Sequence, residues 1–388
     1  MTILVYNTIQ LVTYPFLIFY FLIRILIKKE NYNSLSQKLF CSQKEIKEYD
    51  YIIHVSSIGE LNSINFLYEH LLFNKKILIT CSTLTSYNSA KSKYPNQDIY
   101  FLPIDMFIIT NIFLKKNKTK VFIWIDSEIW PYYIFALNKK NIKTYLINAR
   151  ISKKSFNRWK FFKNFISIIG SKYEKVFASS KQDQDRFSEL FKRDIFYYGN
   201  LKFYQKTNIT KKNKNIICFG SIHHQEFKDI IDIILNINLK KIDEVIIIPR
   251  HPINARILKG EMIKSNLKNS KIKIIEEIGQ NIESYKKSKV TIMGGSFFNH
   301  GGQNPLEPVS CGSYVISGGY IHNFNSIYQE LIKENLCHIS KGGDNDLLAS
   351  YIGGLMSIEE LMNQDKIEKL FNSKLNNLNN IIDKIKDD

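Results

Sequence analysis

The sequence predicts an α/β protein with two parallel-sheet domains and an N-terminal membrane helix. Short β-branched runs alternate with segments of helical length, and near-continuous apolar strands of this kind are typical of parallel sheets covered on both faces. The runs form two series, separated by a polar and basic stretch. No Asp, Glu, Lys or Arg precedes Arg24. The length of 388 residues suits roughly two to three domains of about 150 residues each.

The apolar N-terminal segment is predicted to anchor the chain to a membrane over residues 1–30. Residues 3–22 are mostly apolar and aromatic, and about 20 such residues span a bilayer. Asn7, Gln10 and Pro15 interrupt the run, so a helix that enters only one leaflet stays open, with an ordinary buried helix as the other alternative. Basic residues follow on the C-terminal side: Arg24, Lys28 and Lys29. This charge order predicts that the body of the protein is cytoplasmic.

The first series of strands lies in a domain predicted over residues 31–203. Its strands are expected at 51–55, 76–80, 99–102, 121–126, 144–147, 175–178 and 194–197. In open α/β sheets ligands bind beyond the carboxyl ends of the strands. We therefore expect the functional residues in the turns that follow these strands.

The second series lies in a domain predicted over residues 216–357, after a linker at 204–215 that lacks apolar periodicity. Its strands are expected at 215–219, 244–249, 272–275, 290–293 and 314–316. Residues 358–388 have the pattern of a long charged helix, which we expect to be able to pack back on the N-terminal domain. The two α/β domains are expected to face a cleft.

The composition restricts the classes of partner and site. Lys and Arg number 54 against 36 Asp and Glu, which gives a net charge of +18. Such a charge favours nucleic acid, an anionic membrane or phosphorylated substrates as partners, although a general drift toward Lys, Asn and Ile also raises it. The five cysteines are widely spaced without a C-x-x-C pair, which disfavours a disulfide framework or a structural zinc site. The sequence also lacks a P-loop, G-x-S-x-G and H-E-x-x-H.

A Ser/Gly turn with an acidic residue follows the first strand, in HVSSIGEL at 54–61. Ser57 and Gly59 allow backbone N–H groups to approach a ligand at a helix N-terminus. Glu60 falls in the first turn of that helix, where the helix dipole is expected to lower its pKa and keep it ionised. Glu60 is thus a candidate proton acceptor, with helix capping as the alternative.

Two acids and a tryptophan follow the fourth strand, in DSEIWP at 126–131. Glu128 suits recognition of hydroxyl groups or orientation of a cation. The alternative is that Asp126 or Ser127 caps the next helix, which Pro131 is expected to begin.

Arg150 ends the fifth strand and leads into a basic and aromatic stretch at 152–163. Basic residues interleaved with aromatic ones suit a membrane interface or a phosphorylated lipid. A nucleic-acid patch or a solvated helix face are the alternatives.

The first strands of the second series end in turns that suit anions. Ser221 and His223 lie in a Gly/Ser turn that opens a helix. A zinc site there is disfavoured, because the adjacent His223 and His224 cannot both face one metal from a helix. Arg250 is flanked by prolines, and a rigidly held Arg suits a phosphate or carboxylate, with a surface Arg as the alternative.

The densest signal is the glycine-rich stretch MGGSFFNHGGQNPLEP at 293–308. Gly294 and Gly295, followed by Ser296, allow close approach of the backbone to a phosphate. The stretch goes on to Asn304 and Glu307, and Glu307 is placed to bind vicinal hydroxyls such as those of a ribose. A phosphate loop followed by an acid is typical of nucleotide-sugar binding.

Together these motifs resemble the 3-deoxy-D-manno-octulosonic acid (Kdo) transferases of Gram-negative lipopolysaccharide assembly. The matching pieces, from about residue 50 to 325, are HVSSIGEL, DSEIWP, INARIS, YGNLKF, GSIHHQE, PRHP, MGGSFFNHGGQNPLEP and HNF. Gln303 stands where the family usually has His, and Asp126 where it usually has Glu. Gly318-Gly319-Tyr320 replaces a Gly-Pro-His turn.

The resemblance implies a GT-B glycosyltransferase fold, in which two Rossmann-like domains face a cleft, with an inner-membrane anchor and the catalytic domains on the cytoplasmic side. It implies inverting transfer of Kdo from CMP-Kdo to a phosphorylated lipid A precursor (lipid IVA), with no required metal or other cofactor and no nucleic-acid partner. Glu60 matches the general base. Binding of the donor and its nucleotide is assigned to Ser221, His223, Arg250, Gly294, Gly295, Ser296, Asn304 and Glu307. Positioning of the acceptor is assigned to Ser57, Gly59, Glu128 and Arg150.

Two other functions remain open at this stage. A related GT-B enzyme that uses a UDP-sugar on another membrane lipid or glycan would need the same kind of site. A membrane-tethered basic module that binds nucleic acid without catalysis would explain the charge, but not Glu60 or the glycine loops.

Overall fold

The computed structural model describes residues 2–43, 45–205, 207–210, 214–277, 279–341 and 343–387. The chain forms two compact units, Met1–Tyr204 with Lys374–Asp388 and Gln205–Ser373. Each unit is organised around its own parallel sheet.

The first unit contains a sheet whose described strands run in the order β3-β2-β1-β4-β5-β6-β7, all parallel. The strands are β1 (Lys47–Val55), β2 (Ile77–Cys81), β3 (Asp98–Phe101), β4 (Asn117–Ile125), β5 (Lys143–Ala149), β6 (Lys175–Ala178) and β7 (Phe196–Tyr197). The helices are α1 (Ile3–Leu26), α2 (Tyr32–Phe40), α3 (Ile58–Ser63), α4 (Asn65–Leu67), α5 (Leu84–Lys93), α6 (Phe107–Lys116), α7 (Pro131–Lys139), α8 (Lys153–Phe161), α9 (Lys163–Gly170) and α10 (Lys181–Phe191). A π-helical turn spans Tyr68–Leu72, and a 3-10 turn spans Leu201–Phe203.

Hydroxyl side chains fix where the helices of this unit begin. Ser57, Thr83, Ser152 and Ser180 each accept a hydrogen bond from the backbone N–H three residues later. Such caps satisfy N–H groups that a helix N-terminus leaves without a partner. The helices that follow β1, β2, β5 and β6 therefore begin just beyond the carboxyl ends of the strands, where the sequence motifs lie.

The second unit contains a sheet whose described strands run in the order β10-β9-β8-β11-β12-β13, also parallel. The strands are β8 (Ile216–Ile222), β9 (Glu244–Pro249), β10 (Ile272–Ile274), β11 (Val290–Met293), β12 (Tyr314–Ser317) and β13 (Cys337–Ile339). The helices are α11 (Phe227–Asn236), α12 (Ala255–Lys264), α13 (Asn281–Lys287), α14 (Leu306–Ser310), α15 (Asn325–Lys333) and α16 (Asn345–Met356). Short 3-10 turns span His224–Glu226, Leu239–Lys241 and Pro252–Asn254.

The predicted strands are all present, within a few residues at their ends. Among the strands in the described part of the chain, β13 is the one that the sequence does not predict. β13 is a short edge strand with a histidine at its centre, so no β-branched run marks it. In the predicted linker, the Asn208 backbone N–H donates to the Ser310 carbonyl (2.8 Å), and the Thr210 hydroxyl donates to the Lys286 carbonyl (2.6 Å). Both contacts lie within the second unit. Residues 206 and 211–213 of that linker lie outside the described residues.

Helix α1 is the one helix in the described part of the chain that is long and apolar enough to cross a membrane. It contains Pro15, and none of its residues is fully buried. The structure therefore gives the predicted anchor as a single unbroken helix.

Helix α17 (Gln364–Lys386) belongs to both units, because the chain returns to the first unit from Lys374 onward. Its second half completes a core cluster beside the strand residues Ile53, Ile79 and Ile123. The buried side chains that it contributes are Leu378, Ile381, Ile382 and Ile385. The first unit thus depends on residues more than a hundred positions beyond its last strand for part of its core.

We expect Leu378→Ala to destabilise the protein by about 2–5 kcal/mol, since it removes a fully buried side chain and leaves a cavity. Urea unfolding, followed by circular dichroism, measures the change. Asn376→Ala, at an exposed position of the same helix, should change stability by less than about 0.5 kcal/mol. Equal stability of Leu378→Ala and the parent chain would contradict the packing of α17 on the first unit.

Candidate active site

Two polar clusters lie at the carboxyl ends of strands, one in each unit. The first is built from the turns after β1, β2, β4 and β5, and the second from the turns after β8, β9 and β11.

The first cluster centres on a buried hydrogen-bond network around His54. The His54 ring is fully buried, with Nδ1 3.0 Å from the Thr80 hydroxyl and Nε2 3.2 Å from the Ser82 hydroxyl. The Ser56 hydroxyl lies 3.3 Å from His54 Nε2 and donates to Glu128 Oε1 at 2.5 Å. Burial lowers the pKa of His54 to about 4, so this imidazole is neutral near pH 7.

Glu128 is a fixed member of this network. The Trp130 indole N–H donates to its Oε2, and only 14% of its side chain is exposed. His54 Nε2 is 3.8 Å from the same oxygen. Glu128 therefore presents a carboxylate oriented by one hydroxyl and one indole donor, and its role in positioning the acceptor stays a prediction.

Glu60 is held by the turn that precedes its helix. The Ser56 backbone N–H donates to Glu60 Oε2 (2.6 Å), and the Ser57 hydroxyl donates to Oε1 (3.1 Å). Ser57 also caps the helix by accepting from the Glu60 N–H (3.2 Å). The capping alternative is thus present in the structure, and the same contacts orient the carboxylate.

The sequence-based expectation that Glu60 has a lowered pKa is wrong. Burial and repulsion from the carboxylates of Asp126 and Glu128 raise the pKa of Glu60 to about 8, against the opposing effect of the Ser56 and Ser57 hydrogen bonds. The helix is only six residues long, and the stabilisation that a helix N-terminus gives to a carboxylate is about 1 kcal/mol. Desolvation outweighs it at this position.

Asp126 is a buried acid surrounded by compensating groups. It has a left-handed backbone (φ 61°), and its carboxylate accepts from the Asn148 amide and lies 3.9 Å from Arg150 Nη1. Burial raises its pKa, while the charges of Lys202 and Arg150 oppose that rise. Asp126 does not cap the next helix, whose N-cap is Trp130, with Pro131 in its first turn as predicted.

Lys202 is a site residue that the sequence analysis does not assign. Burial lowers its pKa, and the carboxylates of Asp126 and Glu60 counteract that effect. It lies in the 3-10 turn Leu201–Phe203, which Asn148 holds by accepting the Leu201 N–H at 3.0 Å. The matching YGNLKF motif is the signal that could have identified it.

Gly59 is exposed in the first turn of α3. A Cβ at this position would meet only the Ser57 hydroxyl, at an ordinary contact distance of 3.7 Å. Packing within the first unit therefore does not require glycine here, which fits the assignment of Gly59 to the approach of a ligand.

The second cluster is organised by Glu226, which the sequence analysis does not assign to any role. Its side chain is fully buried and accepts four backbone N–H groups. Oε2 accepts from His223 (2.9 Å) and Gly295 (2.8 Å), and Oε1 accepts from Ser296 and Phe297 (both 3.1 Å). Glu226 therefore joins the turn after β8 to the glycine loop after β11.

This arrangement changes the interpretation of the glycine loop. The amides of Gly295 and Ser296 donate to the Glu226 carboxylate in this structure, whereas the sequence predicts that they approach a phosphate. A Cβ on Gly294 would lie 2.5 Å from the Ser221 carbonyl, and Gly295 has φ 68°. Gly294 is thus required by the close packing of the two loops, and Gly295 is favoured by its left-handed backbone.

Ser296 has a structural role as well. Its fully buried hydroxyl donates to the Met293 carbonyl (2.6 Å) and accepts from the Gly318 N–H (2.7 Å). Ser221 is nearly buried with φ 56°. The two serines shape the loops around the cluster.

His223, Gln303 and His300 lie together in this cluster. Gln303 Nε2 is 3.1 Å from His223 Nε2, and the rings of His223 and His300 are 4.2 Å apart. Burial, together with repulsion from His300 and from Arg250, lowers the pKa of His223 to about 4. Gln303 thus hydrogen-bonds to a neutral imidazole, which accepts from its amide.

Arg250 and Glu307 supply the charges of the second cluster. Arg250 is exposed, and its backbone N–H donates to the Ile222 carbonyl (2.8 Å), so the strand-end turn is tied to β8. Burial raises the pKa of Glu307, and the Asn304 side chain and the Arg250 charge oppose that rise. Arg250, Asn304 and Glu307 therefore interact with one another in the second cluster.

Among the described residues, no group of three or more His, Cys, Asp or Glu side chains is arranged to hold a metal ion. The clusters offer general acid–base groups in the first unit, and a cation with hydrogen-bonding groups in the second.

Comparison with known proteins identifies the family. The sequence profile described as 3-deoxy-D-manno-octulosonic-acid transferase (kdotransferase) matches residues 33–205. The 3-deoxy-D-manno-octulosonic acid transferase of Rickettsia typhi is 30% identical over 332 residues, which cover 76% of this chain and 70% of that protein. The chain belongs to the Kdo transferase family. The Rickettsia bellii enzyme of the same name is 29% identical over 353 residues, which cover 83% of this chain and 84% of that protein.

Solved structures confirm the predicted fold class. A glycosyltransferase from Rickettsia africae has a TM-score of 0.59 at 15% identity, and the match covers 88% of this chain and 97% of that one. At that identity the likeness shows the two-domain GT-B fold. As a Kdo transferase family member, the chain is a glycosyltransferase of lipopolysaccharide synthesis.

We expect Glu226→Gln to destabilise the second unit by about 2–4 kcal/mol, because the amide nitrogen cannot accept from two of the four buried N–H groups. Thermal and urea unfolding measure the loss. Glu283→Gln is the matched control, since the Glu283 side chain is 66% exposed and pairs with Lys286 on its own helix; its unfolding should match that of the parent chain. Equal unfolding of the two variants would contradict the role of Glu226 in joining the loops.

Proposed function

We propose that this Kdo transferase is an inverting enzyme that moves Kdo from CMP-Kdo to the phosphorylated lipid A precursor lipid IVA, with Glu60 as the general base. The observation that carries the proposal is the state of Glu60. It is held by two hydrogen bonds, and its pKa is raised to about 8 by burial and by neighbouring carboxylates. A base is most effective when its pKa lies near the working pH.

In the proposed reaction an acceptor hydroxyl attacks the anomeric carbon of Kdo on the face opposite the nucleotide. The bond between that carbon and the phosphate oxygen breaks, and CMP leaves with the electron pair. The hydroxyl proton goes to Glu60. Glu60 Oε2 accepts one hydrogen bond from the Ser56 N–H, and Oε1 accepts one from the Ser57 hydroxyl. Each oxygen therefore keeps a further lone pair that can take the proton.

Glu128 and Arg150 are proposed to position the acceptor. Glu128 is immobilised by Ser56 and Trp130, and a fixed carboxylate orients a hydroxyl at a low entropic cost. Arg150 is 32% exposed beside Asp126, so its guanidinium can reach an acceptor phosphate. Lys202, beside the same acids, adds a second cation.

Charge on the departing CMP is proposed to be stabilised by side chains of the second unit. Because Glu226 occupies the amides of Gly295 and Ser296, we assign the phosphate to Arg250 and to the imidazole of His223. Arg250 supplies a cation at the leaving group and the neutral His223 imidazole supplies a hydrogen-bonding group, and preorganised groups of this kind supply much of the catalysis in such reactions. Asn304 and Glu307 are assigned to the ribose hydroxyls.

The partners fit the charge of the chain. A bis-phosphorylated lipid in an anionic leaflet complements a net charge of +18. We propose the inner membrane as the location, with both units on the cytoplasmic side, because the basic residues Arg24, Lys28 and Lys29 follow the apolar helix. Nucleic acid is not among the proposed partners.

The direct test is a mass-spectrometric transfer assay. Purified protein in detergent receives lipid IVA and CMP-Kdo generated in situ, with EDTA in a parallel arm. We expect the lipid to gain the mass of one or more Kdo units, and the product ladder counts them. Glu60→Gln should lose at least about a hundredfold in rate, whereas Glu48→Gln, an exposed carboxylate of the same unit, should keep full activity.

The outcomes separate the parts of the proposal. Full activity of Glu60→Gln would remove Glu60 from the role of base. No transfer by a folded protein that binds CMP would assign another acceptor or sugar. Protection from unfolding by UDP but not by CMP would favour a UDP-sugar transferase.

The pH dependence gives a second test. Because Glu60 must be deprotonated to act, kcat/KM of the parent enzyme should rise with pH and level off above an apparent pKa of about 8.

The pKa of Glu60 is raised in the folded state, so the unfolded chain loses this proton at a lower pH than the folded chain does. The free energy of unfolding should therefore fall between the ordinary Glu pKa and about 8. Glu60→Gln should lose this part of the fall, and a Glu60→Gln stability profile parallel to the parent's would contradict the raised pKa.

A further inference from the structure

Helix α1 packs lengthwise on the first unit. The Tyr6 hydroxyl donates to Asp105 Oδ2 (2.7 Å), and the Tyr14 hydroxyl donates to the Leu39 carbonyl (2.7 Å). In the last turn, Arg24 lies 3.4 Å from Glu30. These contacts extend from the first turn to the last of a 24-residue helix, a length of about 36 Å.

The polarity of α1 is the reverse of that of a helix facing water. Four of its polar side chains, Tyr6, Asn7, Gln10 and Tyr14, lie on the partly buried side. The opposite side carries Thr8, Thr13 and Tyr20 but consists mostly of large apolar residues that are at least 42% exposed: Leu4, Val5, Ile9, Leu11, Val12, Phe16, Phe19, Leu22, Ile23 and Leu26. A surface helix in water turns its apolar stripe inward, so the outer face of α1 is built for lipid.

The polar atoms on that outer face are satisfied within the helix. The Thr8 hydroxyl donates to the Leu4 carbonyl (3.1 Å), and the Thr13 hydroxyl donates to the Ile9 carbonyl (2.9 Å). Hydrocarbon requires such internal partners, because it offers no hydrogen bonds of its own.

Neighbouring elements continue the apolar face. Ile108 and Ile112 are exposed on α6, which begins two residues after the Tyr6 partner Asp105. Phe161 is 84% exposed, just ahead of α9, whose Phe165 ring is 5.8 Å from Tyr6. Exposed basic residues of α8 and α9 flank this edge: Lys153, Lys154, Arg158 and Lys163.

We propose that α1 does not cross the membrane. It lies in the boundary between headgroups and acyl chains of one leaflet, with both of its ends on the side of the first unit. The bilayer that it fits contains anionic phospholipid, since the flanking residues are basic. Tyr6, Tyr14 and Arg24 hold the helix on the unit. Crossing would break these contacts or carry charged groups such as Asp105 and the buried Lys38–Glu30 pair (2.7 Å) into hydrocarbon.

The first experiment locates the two ends of α1 in cells. The native cysteines are all buried, so a membrane-impermeant maleimide should give little background on the folded chain. Thr2→Cys and Lys29→Cys place a thiol at either end of the helix. We expect neither variant to be labelled in intact spheroplasts and both to be labelled after lysis.

Labelling of Thr2→Cys in intact spheroplasts, with Lys29→Cys labelled only after lysis, would overturn the proposal, because the helix would then cross. Labelling of Thr2→Cys only in detergent would also overturn it, since that end would lie inside the hydrocarbon. Neither readout depends on transfer activity, so a failure of the proposed function leaves this test intact.

The second experiment tests the face itself by flotation with vesicles of phosphatidylcholine, with and without phosphatidylglycerol. We expect Phe16→Asp and Phe161→Asp each to weaken binding about tenfold, and phosphatidylglycerol to strengthen binding of the parent chain. Ile263→Asp is the matched control, at a 58% exposed position of the second unit, and should bind like the parent. Unchanged binding of Phe16→Asp, with unfolding curves equal to the parent's, would contradict the lipid-facing assignment.

Discussion

Desolvation of carboxylates at the carboxyl ends of the two sheets is the constraint on which both clusters depend. Parallel strands bring their following turns to one edge, and acids placed there lose water. A buried carboxylate persists only where donors or cations compensate for that loss. Asp126 has Asn148, Arg150 and Lys202, and Glu226 has four backbone N–H groups. The same compensating contacts fix the turns that carry the remaining site residues.

Glu60 and Glu226 show how this constraint yields two different roles. Each acid lies a few residues after the strand that comes first along the chain in its sheet, β1 or β8. Glu226 is fully buried and accepts four N–H groups, so its lone pairs are used and it joins loops. Glu60 accepts two hydrogen bonds and is only partly buried, so it keeps capacity to accept a proton. The number of donors that reach each carboxylate therefore separates a structural acid from a candidate base.

The fold and most of the candidate-site residues can be predicted from the sequence, because short local sequence patterns mark both. β-branched runs mark the strands, and Gly, Ser and Pro mark the turns at their ends. The pKa of Glu60 cannot be predicted in this way, because it is set by burial and by Asp126 and Glu128 in the turn after another strand. Glu226 and Lys202 are not predicted for the same reason, since their contacts and charges depend on partners that are distant in sequence. β13 escapes because three residues are too few to show a pattern.

The rule that every desolvated polar group needs a partner also links the anchor helix to the first cluster. Asp105 accepts from the Tyr6 hydroxyl of α1 and from the backbone N–H groups of Tyr132 (3.1 Å) and Tyr133 (2.8 Å) in the first turn of α7. The loop that leads into α7 carries Glu128 and Trp130. A single buried carboxylate therefore ties α1 to the helix that follows the Glu128 loop. Under the proposed placement of α1 in one leaflet, the depth of the helix in lipid would set the height of Glu128 above the membrane surface, because this link is made of hydrogen bonds to a buried carboxylate.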